Sequence, residues 1–412
     1  MRPAESLLKD SKVFCMVPWV HLNIRADGKV CHCCRATPDQ AVGSVRESTL
    51  AQIWNSPGLR TIRGNMLEGR PSPECRNCLV LEAVGCSSPR LAQNQEYSRH
   101  FPLVDSTAPD GSVARFQMPF LDIRFSNICN FACVYCDADR SSAWCSEHKG
   151  PGEGEGIGGS AVSTATRDPQ QLWRQVEPLI PHVEHFYFAG GEPLLCEEHY
   201  RILNLLTAQG RFDVPLSYST NFSATTFRDL DAMRLWDRFN RVDIAASLDA
   251  SGQRGEYIRI NQDWEEVLRN RQRMFAACPK VSFTIAPTLT AMNALHLPDF
   301  HKEWLEIGYL KPPDIYLNIL LQPSEYSVQI LPERLKRRVA DRYDAHAEFL
   351  VERYGGEATA AARQFQDAVK FMVAQDAGYL LDKFRQRIHA LDRRRNSRFS
   401  DVFPELAELM TG

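Results

Sequence analysis

Residues 121–137, LDIRFSNICNFACVYCD, constrain this chain more than any other stretch. A short β-type run, 121–126, leads straight into Cys129, Cys133 and Cys136, spaced C-x3-C-x2-C. Three thiolates this close together, on a loop at the end of a strand, can hold three corners of a cubane iron–sulfur cluster. The fourth iron then has no protein ligand and stays open to a substrate or cofactor. A zinc site or a chance grouping competes for the same triplet, so the surrounding chain must decide.

That strand is the first of six. Strand-like runs at 121–126, 185–189, 215–220, 242–248, 281–289 and 315–320 alternate with helical patterns at 171–180, 197–209, 226–238, 263–276 and 298–308. Repeated βα units predict parallel strands with helices outside, here an α/β core over 116–325 built as a partial (β/α)6 TIM-like barrel. Such a barrel carries its chemistry at the carboxyl ends of the strands. The second strand ends in Gly190, Gly191, Glu192 and Pro193, where glycines let backbone approach a ligand closely. The third ends at Ser219 and Asn221, the fourth at Ser247 and Asp249, and the fifth near Ile285. Polar residues that close apolar strands also serve as helix N-caps, and Asp249 is open to that duller role. The run GEGIGG, 154–159, satisfies G-x-G-x-x-G but has no strand before it and no helix opening on it, so it reads as a loop and a candidate lid.

Ahead of the core lies a second cysteine group. Seven of the thirteen cysteines fall between Cys15 and Cys86. The start of the sequence shows no secretory pattern, so clustering of this kind points to metal or iron–sulfur ligation in a reducing cytoplasm, not to disulfides. Val20, Leu22 and Ile24 alternate with polar residues, Asp27-Gly28 turns, and the return brings Cys15 near Cys31, Cys33 and Cys34, the pattern of a β-hairpin. A helical patch follows with Leu50, Ile53, Trp54, Leu59 and Ile62 as its apolar face, then Cys75-x2-Cys78. By spacing alone a zinc site is as good a reading as a cluster.

The run C-x2-PW…DG-x4-C…IW…R…M…C-x2-C-x3-E-x2-G-x2-S-x-R, residues 14–90, resembles the twitch/SPASM iron–sulfur module found beside radical S-adenosylmethionine (radical SAM) enzymes. The triplet, with Tyr135 before its last cysteine and GGEP at the next strand end, is similar to the radical SAM signature itself. The resemblance implies a [4Fe–4S] cluster on Cys129, Cys133 and Cys136 whose open iron is chelated by S-adenosylmethionine. One electron, from a donor such as flavodoxin or ferredoxin, then yields a 5′-deoxyadenosyl radical that abstracts a substrate hydrogen. It implies an auxiliary [4Fe–4S] cluster on Cys15, Cys33, Cys75 and Cys78, with Cys34 as the substitute for Cys33 and Cys31 and Cys86 as spares. Glu192 and the backbone of Gly190, Gly191 and Pro193 would hold the methionyl amino group. Ser219, Asn221, Ser247 and Asp249 would face the cofactor, and Arg259 would pair bidentately with its carboxylate. Cys145 and Cys196 are candidate hydrogen-atom donors, as in radical SAM epimerases, while lone cysteines such as Cys278 are ordinarily buried packing residues.

The expected organisation is a cluster module over 12–98, a linker over 99–115, the core over 116–325 and a helical region over 326–412. Relatives with this module often modify ribosomally made peptides by epimerisation, thioether or carbon–carbon crosslinks; others oxidise or rearrange small molecules such as aminoglycoside precursors. A non-catalytic zinc or iron–sulfur protein is the reading from another class, and zinc gives no reason for GGEP at a strand end. Lys and Arg total 48 against 51 Asp and Glu, which gives no general pull toward nucleic acid. No 18-residue apolar run suggests a spanning helix. The late basic run DRRRNSR reads as a solvated helix end, with contact to an acidic peptide or RNA as the alternative.

Overall fold

The computed structural model describes residues 6–147 and 162–411, so the 154–159 loop and its lid role lie outside the described residues. The chain divides into two compact units. One comprises Met1–Ile128, Val162–Tyr218 and Arg238–Arg241, the other Cys129–Ala161, Ser219–Asp237 and Val242–Gly412.

In the first unit the strand Phe120–Ile123 is buried along its whole length. Buried on both faces, such a strand reads as a continuous apolar run, as this one nearly does. It pairs in parallel with His185–Phe188 through Phe120↔His185. That strand pairs in parallel with Leu216–Thr220 through Phe186↔Leu216 and Phe188↔Tyr218. On its other edge Phe120–Ile123 pairs, again in parallel, with Asn23–Ile24, in register Asn23↔Asp122. Asn23–Ile24 belongs to the expected hairpin, whose first strand is shorter than expected because Val20 lies in the helix Val17–Val20; it is closed by Lys29–Cys31 and extended by Gly43–Ser44. The cysteine module therefore lengthens the central sheet instead of standing apart from it. Gly28 turns the hairpin at φ +84°, and a Cβ there would stand 2.4 Å from the Ala165 carbonyl oxygen.

The helical patch forms as its caps dictate. Thr49 caps Leu50–Ile53, and Ser56 with Pro57 starts Pro57–Glu68, which stops at Gly69 in the left-handed region. Its Arg63 is fully buried, donates to the Pro18 and Trp54 carbonyls, and lies 4.7 Å from the Trp54 ring centre. The expected linker 99–115 is a correction. Phe101, Val104 and Val113 are buried in the same apolar cluster as Phe14, Trp19 and Ile62. Its Pro, Ser and Asp residues supply turns on the surface of that cluster, not a free tether.

In the second unit Val242–Ala246 pairs in parallel with Ser282–Ile285. The expected strand 281–289 is broken, because Pro287 has no N–H for a ladder. Beyond the break, Thr288–Leu289 pairs in parallel with Asn318–Ile319, all that forms of the expected strand 315–320 besides a bridge at Ile315. The helix expected over 226–238 is shorter. Thr226–Phe227 and Leu230–Asp231 pair antiparallel around Arg228 at positive φ, and Asp231 then caps Ala232–Trp236. A helix at Gly252–Ile258 went unforeseen. The helical C-terminal region is observed as Glu333–Tyr354, Thr359–Val373 and Leu381–Arg395. The α/β class, with parallel strands alternating with helices, is the one expected.

Candidate functional site

The triplet sits in the second unit. Ala132–Cys133 pairs antiparallel with Arg259–Ile260, which fixes the middle of the cysteine loop to the start of the next helix-bearing stretch. The loop carbonyls are taken up one by one. Ser142 Oγ donates to the Cys129 carbonyl, Ser141 Oγ to Phe131, Trp144 Nε1 to Cys133 and Arg395 Nη2 to Ala132. The Asn261 side chain holds the Asn130 carbonyl. The backbone that carries the three thiols is thus set by partners of its own. Ser141, Ser142 and Trp144 are not singled out by the sequence reading, though an S-S-x-W run straight after a cysteine loop was an available signal; Arg395 belongs to the basic run expected as a solvated helix end, and its guanidinium is instead engaged by the Ala132 carbonyl.

Burial pushes the Cys133 and Cys136 thiols up, and Cys136 also feels Cys133. A thiol that resists ionising alone, in a loop already shaped, fits a site completed by a cationic iron centre. Arg259 approaches Cys133 Sγ through Nη1 at 3.7 Å. Its other two nitrogens are engaged by Asp249, Nε at 2.8 Å and Nη2 at 3.1 Å. The fork assigned by resemblance to a cofactor carboxylate is therefore held by a carboxylate of the chain. Asp249 is no helix cap: it also accepts from Tyr135 Oη at 2.6 Å and from the Thr288 N–H at 2.7 Å. Asn221 donates to Asn130 Oδ1 inside the triplet and accepts from Ser223. The Ser247 N–H bonds the Thr220 carbonyl, placing Ser247 and Ser219 at adjacent strand ends. Cys145 lies on Ser142–Glu147, partly exposed.

In the first unit Gly190 and Gly191 have φ of +81° and +57°. A Cβ on Gly190 would meet the Arg124 side chain at 2.3 Å, and one on Gly191 the Ile128 carbonyl oxygen at 2.3 Å. These glycines make room for the chain's own backbone as it enters the cysteine loop; the Glu192 N–H bonds the same Ile128 carbonyl. Glu192 is buried and its carboxylate accepts from Leu194 N–H, ahead of the Pro193–Leu195 turn. Cys196 is buried against Ser126 and Glu198, and burial pushes its thiol up to about 12. Cys278, in the second unit, is buried as a packing residue.

The auxiliary site is also in the first unit. Cys15, Cys33, Cys75 and Cys78 line one cavity, together with His32 and Arg90; Cys31, Cys34 and Cys86 do not. Cys75 begins the helix Arg76–Ala83, which carries Cys78 one turn on. Burial pushes Cys75 up to about 12 and raises Cys15 and Cys78. Four soft donors around one cavity, each costly as a free anion, fit an iron–sulfur cluster. A cubane spreads its thiolates over separate irons. The motif E-x2-G-x2-S-x-R acquires a reason. Arg90 Nε and Nη2 clamp Glu82, Ser88 joins the same carboxylate, and Arg90 Nη1 holds the Phe14 carbonyl beside Cys15.

Two family models match the sequence: an iron–sulfur cluster-binding domain of the SPASM family over residues 15–79 and the radical SAM superfamily over 123–293. No curated protein matches the sequence significantly. Similar solved structures include native anSMEcpe with bound AdoMet and Cp18Cys peptide, at 18% identity and TM-score 0.38, covering 57% of this chain and 60% of that one. Another is native anSMEcpe with bound AdoMet, at 19% identity and TM-score 0.37, covering 55% and 58%. This chain thus spans about three fifths of the length of the solved structures it matches. S-adenosylmethionine and [4Fe–4S] clusters are the cofactors of the matched domains, and no helix among the described residues is long and apolar enough to cross a membrane. The chain carries a radical SAM domain over residues 123–293 and, ahead of it, a SPASM-type iron–sulfur cluster-binding domain over 15–79.

Proposed function

We propose that this chain takes a hydrogen atom from a ribosomally made peptide, leading to epimerisation, a thioether or a carbon–carbon crosslink. Cys129, Cys133 and Cys136 would hold the [4Fe–4S] cluster, which together with bound S-adenosylmethionine would supply the abstracting radical. The observation that carries the reading is the preset cysteine loop, whose carbonyls are held by Ser141, Ser142, Trp144 and Arg395. The chain's own work is positional. Asp249 orients Tyr135 and Arg259, and Arg259 donates toward Cys133. Cys15, Cys33, Cys75 and Cys78 would hold an auxiliary cluster. Its resemblance to the module of peptide-modifying relatives supports a peptide substrate.

Anaerobic reconstitution tests the chemistry. About eight irons per chain are expected for two cubanes, with reductant-dependent 5′-deoxyadenosine. Replacing Cys129, Cys133 and Cys136 by Ala should leave about four irons and no 5′-deoxyadenosine. A colourless protein holding one or two zinc ions would overturn the enzyme reading. Stimulation of 5′-deoxyadenosine by small-molecule fractions alone, with no mass change in any peptide, would overturn the peptide part and leave the chemistry standing.

A further inference from the structure

We propose that the helix Leu381–Arg395 forms the docking surface for a small acidic one-electron carrier protein that delivers the electron to the cluster loop. The proposal rests on the function proposed above. Within the second unit a cavity of about 360 Å³ has Cys136 and Asp137 on one wall and Arg387, Ala390 and Arg394 on another. Both family models end before this helix, at residues 79 and 293, so neither matched domain accounts for it.

The helix has two faces. Phe384, Ile388 and Leu391 are buried, while Lys383, Arg387 and Arg394 fall on one stripe at i, i+4 and i+11. Lys383 and Arg387 are mostly exposed, at 53% and 62% of their side chains, and Arg394 is exposed as well. Ala390, the small residue between the two arginines, leaves the cavity open there. Two of the acids nearby, Glu325 and Asp137, are already paired with bases. Glu325 is buried and pairs with Lys383 and Arg387, and Asp137 pairs with Arg140. A cationic surplus is left at the rim, with Arg393 exposed next to it.

The helix is tied to the cysteine loop. Arg395 donates to the Ala132 carbonyl and lies 5.4 Å from the Trp144 ring centre, and Trp144 donates to the Cys133 carbonyl. A carrier seated on the stripe would face the wall that contains Cys136. The chain as a whole carries a net charge of −3, so an acidic partner gains nothing from the global field. A local basic patch is what steers it to one place. In the step itself one electron leaves the carrier's reduced cofactor and enters the cluster, and no bond forms or breaks.

The test uses the reconstituted enzyme with reduced flavodoxin and, separately, reduced ferredoxin. Arg394→Glu should lower the second-order rate of cluster reduction at least tenfold at low salt with the carrier that serves the wild type, and weaken the carrier's affinity measured calorimetrically. High salt should close the gap, because exposed charges are screened. Dithionite-driven 5′-deoxyadenosine should match wild type, and Arg337→Glu, an equal charge change at an exposed position of the Glu333–Tyr354 helix, should leave carrier reduction unchanged. Unchanged carrier rates for Arg394→Glu would overturn the docking surface, as would an equal loss in Arg337→Glu. Retained carrier rates with a raised KM for a peptide would assign the stripe to substrate instead. Absence of dithionite-driven 5′-deoxyadenosine in the wild type would count against the proposed function, not against the surface.

Discussion

Asp249 and Arg259 form a bidentate pair with side chains only 0% and 7% exposed, and the carboxylate simultaneously receives the Tyr135 hydroxyl. One acid therefore anchors the residue preceding Cys136 and, through the remaining arm of Arg259, the guanidinium beside Cys133. The planar fork suits this double duty, since two parallel bonds to a carboxylate still leave one N–H arm free.

Removing one member of a buried pair leaves the other charged and uncompensated, at a cost of about 3–5 kcal/mol. Asp249→Ala should therefore lower the Tm of the iron-free chain clearly and reduce iron at the core site, even where the chain still folds. Arg259→Lys should keep part of the stability and lose the approach to Cys133, because an ammonium cannot form the fork. Thermal unfolding and iron analysis check both. Wild-type values for Asp249→Ala would show that the pair bears no load.

The ligand set proposed for the auxiliary site rests on which thiols share a cavity. Cys33→Ala should remove the auxiliary cluster, taking iron from about eight to about four per chain. Cys34→Ala, Cys31→Ala and Cys86→Ala should each retain it, since these side chains stand outside the cavity lined by Cys15, Cys33, Cys75 and Cys78. Iron analysis with Mössbauer or EPR spectra of the isolated site distinguishes them. Loss of the cluster in Cys34→Ala with retention in Cys33→Ala would transfer the assignment.

Arg90 supports the same site at one remove. It is almost fully buried, clamps Glu82 and holds the Phe14 carbonyl next to Cys15. Arg90→Ala should cost about 3 kcal/mol or more through the unpaired Glu82 and the loosened Phe14 carbonyl. Arg90→Lys should restore the charge but not the clamp, so its auxiliary cluster should form with an altered EPR signal or potential. An Arg90→Lys spectrum identical to wild type would reduce Arg90 to a stabilising charge.

Much of this was legible because covalent spacing encodes it. Cys129, Cys133 and Cys136 can reach one cluster from a short loop whatever the rest of the fold does, and Asp27-Gly28 announces its hairpin locally. The pairing of Asn23–Ile24 with Phe120–Ile123 was not legible, since nothing in either strand names a partner so distant in sequence. The network of Glu82, Ser88 and Arg90 was visible as a motif, but its purpose depends on Phe14 arriving from elsewhere. Phe101, Val104 and Val113 were hidden by the Pro, Ser and Asp residues around them, which mark turns but not exposure. Pro287 is a strand breaker embedded in what otherwise reads as one long apolar run.

Gly191 offers a sharper test of how the second strand end holds the backbone at Ile128. Gly191 and Gly210 both sit at positive φ, +57° and +66°, so alanine at either pays the left-handed backbone cost of about 1–2 kcal/mol. Gly210 has nothing within 4 Å of a new Cβ, whereas Gly191 has the Ile128 carbonyl oxygen at 2.3 Å. That oxygen accepts from Glu192 N–H and belongs to the residue before Cys129, so the added methyl must displace backbone, not a pliable side chain. Overpacking of this kind adds about 1–3 kcal/mol. Gly191→Ala should therefore lower the Tm of the iron-free chain more than Gly210→Ala and depress 5′-deoxyadenosine formation, while Gly210→Ala should keep its activity. Equal Tm shifts in the two variants would mean that the contact with Ile128 yields without cost and that the glycine pair answers only to backbone conformation.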